Sequence, residues 1–187
     1  MFFFRSKSIF FSDTCHFYIN NKNSKKTILW ITNSLGSKKY YLPNALNISI
    51  NPYGFIELAN FFKSYLKYFS LYNVLIKNTV CGLLRGFKGY LVLKGLGFKV
   101  NADIGNNVLT MSLGYSHAIK YIIPTSVKIT ILKKKLRAFK IETISRPLLG
   151  EVLSRIKNLK KRSSYKYQGI YAFREVCAHK DVKKKSS

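Results

Sequence analysis

Acidic residues are scarce in this chain: seven Asp and Glu stand against 33 Lys and Arg in 187 residues, a formal charge of +26. That shortage excludes a surface balanced by its own ion pairs, and a body so charged gathers polyanions. It also leaves no paired carboxylates for acid–base hydrolysis, since Glu142 and Glu151 are isolated with Arg or Lys nearby. Cysteine is sparser still. Cys15, Cys81 and Cys177 are odd in number and irregular in spacing, which argues against a disulfide framework and fits a reducing interior. Cys15-His16 and the pair Cys177 and His179 have neither the spacing nor the proximity of zinc ligands, so no metal and no cofactor are expected. Long apolar runs are missing as well. No window reaches ~18 uncharged apolar residues. The opening MFFFRSKSIFF is broken by Arg5 and Lys7 and lacks a small-residue cleavage pattern, so it reads neither as a spanning helix nor as a signal peptide.

What is present is a core and a great deal of lysine. Hydrophobic residues make up 47% and aromatics 15%, too apolar for a disordered basic tail. Lys 26, Ile 18, Asn 14, Phe 14 and Tyr 13 dominate the usage. These residues share A- and T-rich codons, which points to an AT-rich genome such as an organelle's. The charge is uneven. Residues 1–84 carry ten basic and two acidic residues, whereas 85–187 carry 23 and five, and 155–187 alone carry eleven and two. Phosphate backbone is the leading partner, because Lys and Arg that neutralise phosphates release condensed counterions.

Along the chain, residues 1–26 show no clear period and read as an extension of unknown order. TILWI from Thr27 reads as a buried strand, and residues 46–59 as a hairpin turning at Asn51-Pro52-Tyr53-Gly54. Apolar residues at helical spacing predict a helix over 64–84. GYLVLKG and GFKV read as strand pieces around a glycine bend, with a tight turn at Gly105-Asn106-Asn107. Leu109, Met111 and Leu113, then Val127, Ile129 and Ile131, alternate with polar residues as half-buried strands do. From Ser145 a second helix is predicted. Ser145 is a candidate cap, Pro147 fits the first turn, and Leu148, Leu149, Val152, Leu153, Ile156 and Leu159 form one stripe. A short strand over 170–173 follows a Lys- and Tyr-rich loop. Each half is therefore strands followed by a helix, which hints at an internal duplication. The expected layout is an extension 1–26, a domain 27–84, a basic domain 85–177 and a tail 178–187.

From Leu75 onward the chain resembles the universal large-subunit ribosomal protein six family. Leu75, Asn78 and Gly82 lead into Gly86-Phe87, followed by YLVLKGLGFKV, MSLGYSHAI from Met111, Ile123-Pro124, and a helix with Leu148, Gly150 and Ile156. The family's most specific loop reads Pro-Tyr-Lys-Gly-Lys-Gly-Ile. Here SYKYQGIY from Ser164 keeps Tyr165, Lys166, Gly169 and Ile170, with Tyr167 and Gln168 as departures. The resemblance implies an α+β fold of two similar small domains, each a mostly antiparallel sheet packed on a helix. It implies no catalytic activity, and docking on large-subunit rRNA near the sarcin–ricin loop, mainly through the second domain, with neighbouring ribosomal proteins as further partners.

The best candidate rRNA contact is the run Lys157, Lys160, Lys161 and Arg162 with Ser164, Tyr165, Lys166 and Tyr167. Helix-end cations often do no more than complement the helix dipole. Here no acidic residue between Lys157 and Tyr171 balances the run, and tyrosines can stack on bases or riboses. Arg85, Lys88, Lys94, Ser116, His117 and Arg174 are further candidates, as are Lys180, Lys183 and Lys184 in the tail. Lys133-Lys134-Lys135 with Arg137 reads equally well as a solvated hairpin tip. Gly95 and Gly97 make a weak phosphate-loop pattern, with no helix start after them. Ser116-His117 has no carboxylate placed in sequence to orient the histidine, so catalysis is not expected. Three rival readings are a non-ribosomal organellar RNA-binding protein, a membrane-surface protein using its cationic helix rim and, weakest, an enzyme. The ribosomal reading predicts a mitochondrial location, with the plastid as alternative, and neither a membrane nor a small-molecule substrate as partner.

Overall fold

The computed structural model describes residues 5–10, 15–23, 26–43, 46–51, 55–60, 66–103, 105–133, 137–176, 178 and 180. The chain divides into two compact units, Met1–Gly86 and Phe87–Ser187. Unit 1 contains β1 (Arg5–Phe10), β2 (His16–Asn23), β3 (Lys26–Asn33), β4 (Gly36–Pro43), β5 (Leu46–Asn51), β6 (Phe55–Asn60) and α1 (Leu66–Arg85). Unit 2 contains β7 (Phe87–Lys94), β8 (Lys99–Asp103), β9 (Val108–Ser112), β10 (Ile119–Ile122), β11 (Val127–Lys133), β12 (Ala138–Thr143), α2 (Arg146–Leu159) and β13 (Gly169–Ala172). All described pairings are antiparallel. The fold is α+β.

The topology makes the duplication explicit. In unit 1 the sheets run β1-β6-β5 and β2-β3-β4; in unit 2 they run β7-β12-β11 and β8-β9-β10, with β13 added on the free side of β7. Six strands and a helix therefore recur in the same order with the same neighbours. In unit 2 the helix lies on the sheet of β7, β12 and β13, whereas α1 touches β1 and β6 of one sheet and equally β3 and β4 of the other.

Each helix is fixed by one apolar stripe. Phe69, Ile76, Val80 and Leu83 of α1 are buried, spaced by three, four or seven residues. The end of α1 is closed in two ways. Gly86 takes φ 65° and donates its N–H to the Gly82 carbonyl at 2.9 Å, and the Asn33 amide donates to the Leu83 carbonyl at 2.9 Å. On α2, Leu149, Val152 and Ile156 are buried against Leu91, Phe139 and Ile141 of the sheet. Burying each such side chain contributes about 1.5–3 kcal/mol.

Three expectations need correction. Residues 5–10 and 16–23, read as part of an extension of unknown order, are strands of unit 1: β1 pairs with β6 and β2 with β3, and Ile9 and Cys15 are buried. Trp30 in TILWI faces outward with 38% exposure, while Leu29 and Ile31 face in, so this strand is half-buried. Ser145 has extended backbone but its side chain makes no cap; its N–H instead donates to Thr143 Oγ1 at 3.3 Å, and its carbonyl accepts from Leu149 N–H. Pro147 does sit in the first turn. The turn expected at 52–54 lies outside the described residues.

Candidate nucleic-acid interface

The second helix ends at Leu159, and the chain then makes a loop that returns as β13. The loop is closed by its own backbone. Ile170 N–H donates to the Lys160 carbonyl, Ser163 N–H to the Gln168 carbonyl and Gln168 N–H to the Lys166 carbonyl. Ser163 Oγ accepts from the amides of Tyr165 and Lys166 at 3.3 and 3.2 Å. The crossing of the two arms is tight at Gly169. A Cβ there would stand 2.6 Å from Arg162 Cα, and the residue has φ 139°. The tip thus held projects Tyr165 and Tyr167, 56% and 61% exposed, with exposed Lys166 between them.

Glu175 locks the loop to the helix. Its carboxylate accepts from Lys157 Nζ at 2.8 Å, from Arg162 Nη1 at 2.5 Å and from Ala172 N–H at 2.8 Å. The hydrogen bond from Lys157 is the main reason its carboxyl is held below the ordinary glutamate value of 4.5, with the Ala172 amide next, against a smaller opposing effect of burial. The run is therefore not wholly unbalanced, as its sequence suggests. Lys157 and Arg162 are committed to the fold, Lys160 is half-buried, and Lys161 and Lys166 carry the outward charge. Glu175 was missed because it stands 18 residues from Lys157, brought back by the return of β13.

A second loop joins this surface. Tyr115 donates its hydroxyl to the Leu159 carbonyl at 3.2 Å, and Lys160 Nζ lies 4.0 Å from the centre of its ring. Exposed Ser116 and His117, 3.4 Å apart, are thereby anchored beside the end of α2. Tyr115 was not singled out from sequence. Lys94 pairs across from Gly169 and lies over the Tyr171 ring at 4.7 Å, so it flanks the loop. Ser164 accepts from Lys180 N–H at 3.0 Å, which draws the start of the tail onto the tip. Arg174, exposed with φ 65°, stacks over Phe173 next to Glu175.

Other candidates are not gathered here. Lys88 is six residues from Lys94 on an extended strand, about 20 Å away, and pairs across from Glu142, whose carboxyl is lowered chiefly by Lys140. Arg85 closes α1 in unit 1. Lys183 and Lys184 lie outside the described residues, as do Cys177, His179, Lys134 and Lys135. Arg137 donates to the Gly95 carbonyl, and a Cβ on Gly95 would meet the Phe98 ring at 2.9 Å; both residues serve local packing.

Titrating Glu175 tests its locking role. A carboxyl lowered by folding stabilises the loop fully above the ordinary glutamate range, and that contribution is lost as pH falls below 4.5 through the folded value. Amide-exchange protection at Ala172 is expected to decline over that window and to lose its pH step in Glu175→Gln. Unchanged protection down to about pH 3 would contradict the role.

A doubled, basic α+β chain that presents lysines, tyrosines and a histidine from two adjoining loops has the makings of a ribosomal protein. It is 32% identical over 152 residues to the large ribosomal subunit protein uL6 of Amoebophilus asiaticus, covering 80% of this chain and 82% of the relative. It is 31% identical over 160 residues to that of Mycoplasma genitalium, covering 84% and 85%. With that of Spiroplasma kunkelii the identity is 42% over 98 residues, 52% of each. No family model matches the chain. The chain belongs to the large ribosomal subunit protein uL6 family.

Proposed function

We propose that this chain is a structural constituent of an organellar large ribosomal subunit, mitochondrial rather than plastid, and holds rRNA near the sarcin–ricin loop. The observation that carries the reading is the closed 160–169 loop, with Lys161 and Lys166 outward, Lys160 half-buried over the Tyr115 ring, and Tyr165 and Tyr167 flanking the tip. A-form RNA exposes phosphates and 2′-hydroxyls more readily than base edges, so such a surface reads shape with slight base preference. Ser116, His117 and Lys94 extend the contact, and the basic tail 178–187 adds charge. Residues 85–177 form the principal RNA-binding domain in this reading. The role is structural rather than catalytic, with rRNA and neighbouring ribosomal proteins as partners. The residue usage, rich in A- and T-coded amino acids, supports the organellar placement.

Sucrose-gradient fractionation of organelle lysate tests it. The protein is expected to sediment with the large subunit and to leave it when the subunit is stripped by high salt. A predominantly slow-sedimenting pool would favour a non-ribosomal RNA-binding protein and overturn the proposal.

A further inference from the structure

The outer face of the β2-β3-β4 sheet carries a row of aromatic rings that the fold does not require. Register and alternation put Tyr18, Trp30 and Lys39 in one cross-strand row, and Asn20, Ile28 and Tyr41 in the next. The opposite face is the buried one: Leu29, Ile31 and Leu42 point inward, and Tyr40 reaches Thr79 of α1. Tyr18, Trp30 and Tyr41 are 60%, 38% and 49% exposed. Lys39 Nζ lies 5.5 Å from the Trp30 ring centre and 5.4 Å from that of Tyr41, so one cation bridges two rings.

The duplication supplies an internal control. The matching row in unit 2 is Asn101, Thr110 and Lys120, with the same strands, register and outward direction. It carries no ring. The next row there is Asp103, Val108 and Ile122, so the counterpart of Tyr41 is an exposed aliphatic side chain and again no ring; the rings belong to unit 1 and not to the fold. Cross-strand aromatic pairing does stabilise a sheet, by roughly 0.2–1 kcal/mol per pair, but that gain needs no lysine set between the rings. Charge narrows the occupant further. Residues 16–43 contain five Lys and no Asp or Glu. An apolar protein partner would have to bury that charge, and an acidic peptide would leave the ring faces without flat partners. Unpaired nucleotides satisfy both features, with a base for each ring and a phosphate at every step.

We propose that the outer face of β2-β3-β4 binds unpaired RNA nucleotides, stacking bases on Tyr18, Trp30 and Tyr41 and meeting a phosphate with Lys39. The flexible stem of Lys39 lets its ammonium exchange a ring face for a phosphate oxygen. This site belongs to unit 1 and shares no residue with the 160–169 loop of unit 2.

Trp30 is the sole tryptophan, so its emission reports this face directly. The test titrates the full chain with an end-labelled oligouridylate of about 12 nucleotides, a length within known single-strand site sizes, and reads Trp30 emission together with label anisotropy. Saturable quenching is expected, whereas a blunt RNA duplex of equal length raises anisotropy without quenching. Tyr18→Ala and Tyr41→Ala are expected to weaken the quenching affinity by about fivefold to about a hundredfold. Lys39→Gln, which preserves the stem, guards against a folding defect and weakens it as well. Lys161→Ala with Lys166→Ala leaves it within about twofold, the sites sharing no residue. A rise in anisotropy without quenching overturns this proposal and leaves the loop reading standing. Quenching by polyglutamate but not by oligouridylate overturns it in favour of an acidic-peptide surface.

Discussion

Between about 50 mM and about 200 mM monovalent salt, affinity for large-subunit rRNA helices is expected to fall by about 10³ or more. That fall corresponds to six or more neutralised phosphates on the scale established for duplex DNA. The chain has the cations for it: Lys160, Lys161, Lys166 and Lys94 around one loop, Arg174 beside it, and Lys180 drawn in from the tail. The lysines are not equivalent, and this makes the prediction specific. Lys161→Ala and Lys166→Ala should each flatten the plot of log affinity against log salt by about one unit. Lys157→Ala and Arg162→Ala should act differently, because both side chains are held by Glu175. They weaken binding by loosening the loop and leave the slope nearer its original value. Salt titrations of the four variants, read by fluorescence anisotropy on an rRNA fragment, decide the matter. An affinity indifferent to salt would contradict phosphate neutralisation outright.

Gly169→Ala is expected to disable the loop while sparing the rest of unit 2. The new Cβ would stand 2.6 Å from Arg162 Cα, 3.0 Å from Arg162 N and 3.1 Å from the Lys161 carbonyl oxygen. These are backbone atoms and cannot rotate away. The φ of 139° adds strain for any residue with a Cβ. Together the two effects cost on the order of 3 kcal/mol, enough to separate the crossing arms. RNA affinity should then drop toward that of the chain with Lys161 and Lys166 removed. The core under α2 is built from other residues and should persist, as near-ultraviolet circular dichroism would report. Gly150→Ala is the matched control. Nothing lies within 4 Å of its added Cβ, and in mid-helix the change should stabilise by about 0.5–1 kcal/mol. If Gly169→Ala bound RNA as tightly as Gly150→Ala, the loop's closure would be irrelevant to binding.

The sequence displayed some of this more plainly than the rest. The stripe of α2 was legible because Leu149, Val152 and Ile156 repeat at helical spacing against a cationic face. The 160–169 loop was legible through its resemblance, since Tyr165, Lys166, Gly169 and Ile170 stand in the family's order. The duplication was only hinted at, because it resides in strand pairing. Leu29 and Leu109 occupy matching inward positions, but their neighbours Trp30 and Thr110 share nothing in chemistry. Glu175 and Tyr115 acquire their roles from partners 13 to 44 residues away, separations at which local pattern is silent. Trp30 was misjudged for a different reason. Four consecutive apolar residues, Ile28 to Ile31, read as a buried strand, and only the register with Tyr18 and Lys39 exposes which face is wet.

One measurement bears most directly on the claim that unit 2 presents its lysines and tyrosines to ribosomal RNA. Purified large subunits are irradiated to cross-link protein to RNA, digested, and the nucleotide-bearing peptides identified by mass spectrometry. The peptides spanning Lys160 to Gln168 are expected to carry rRNA adducts, centred on Tyr165 and Lys166 and mapping near the sarcin–ricin loop. Adducts absent from that segment, or protein cross-links in their place, would contradict the claim.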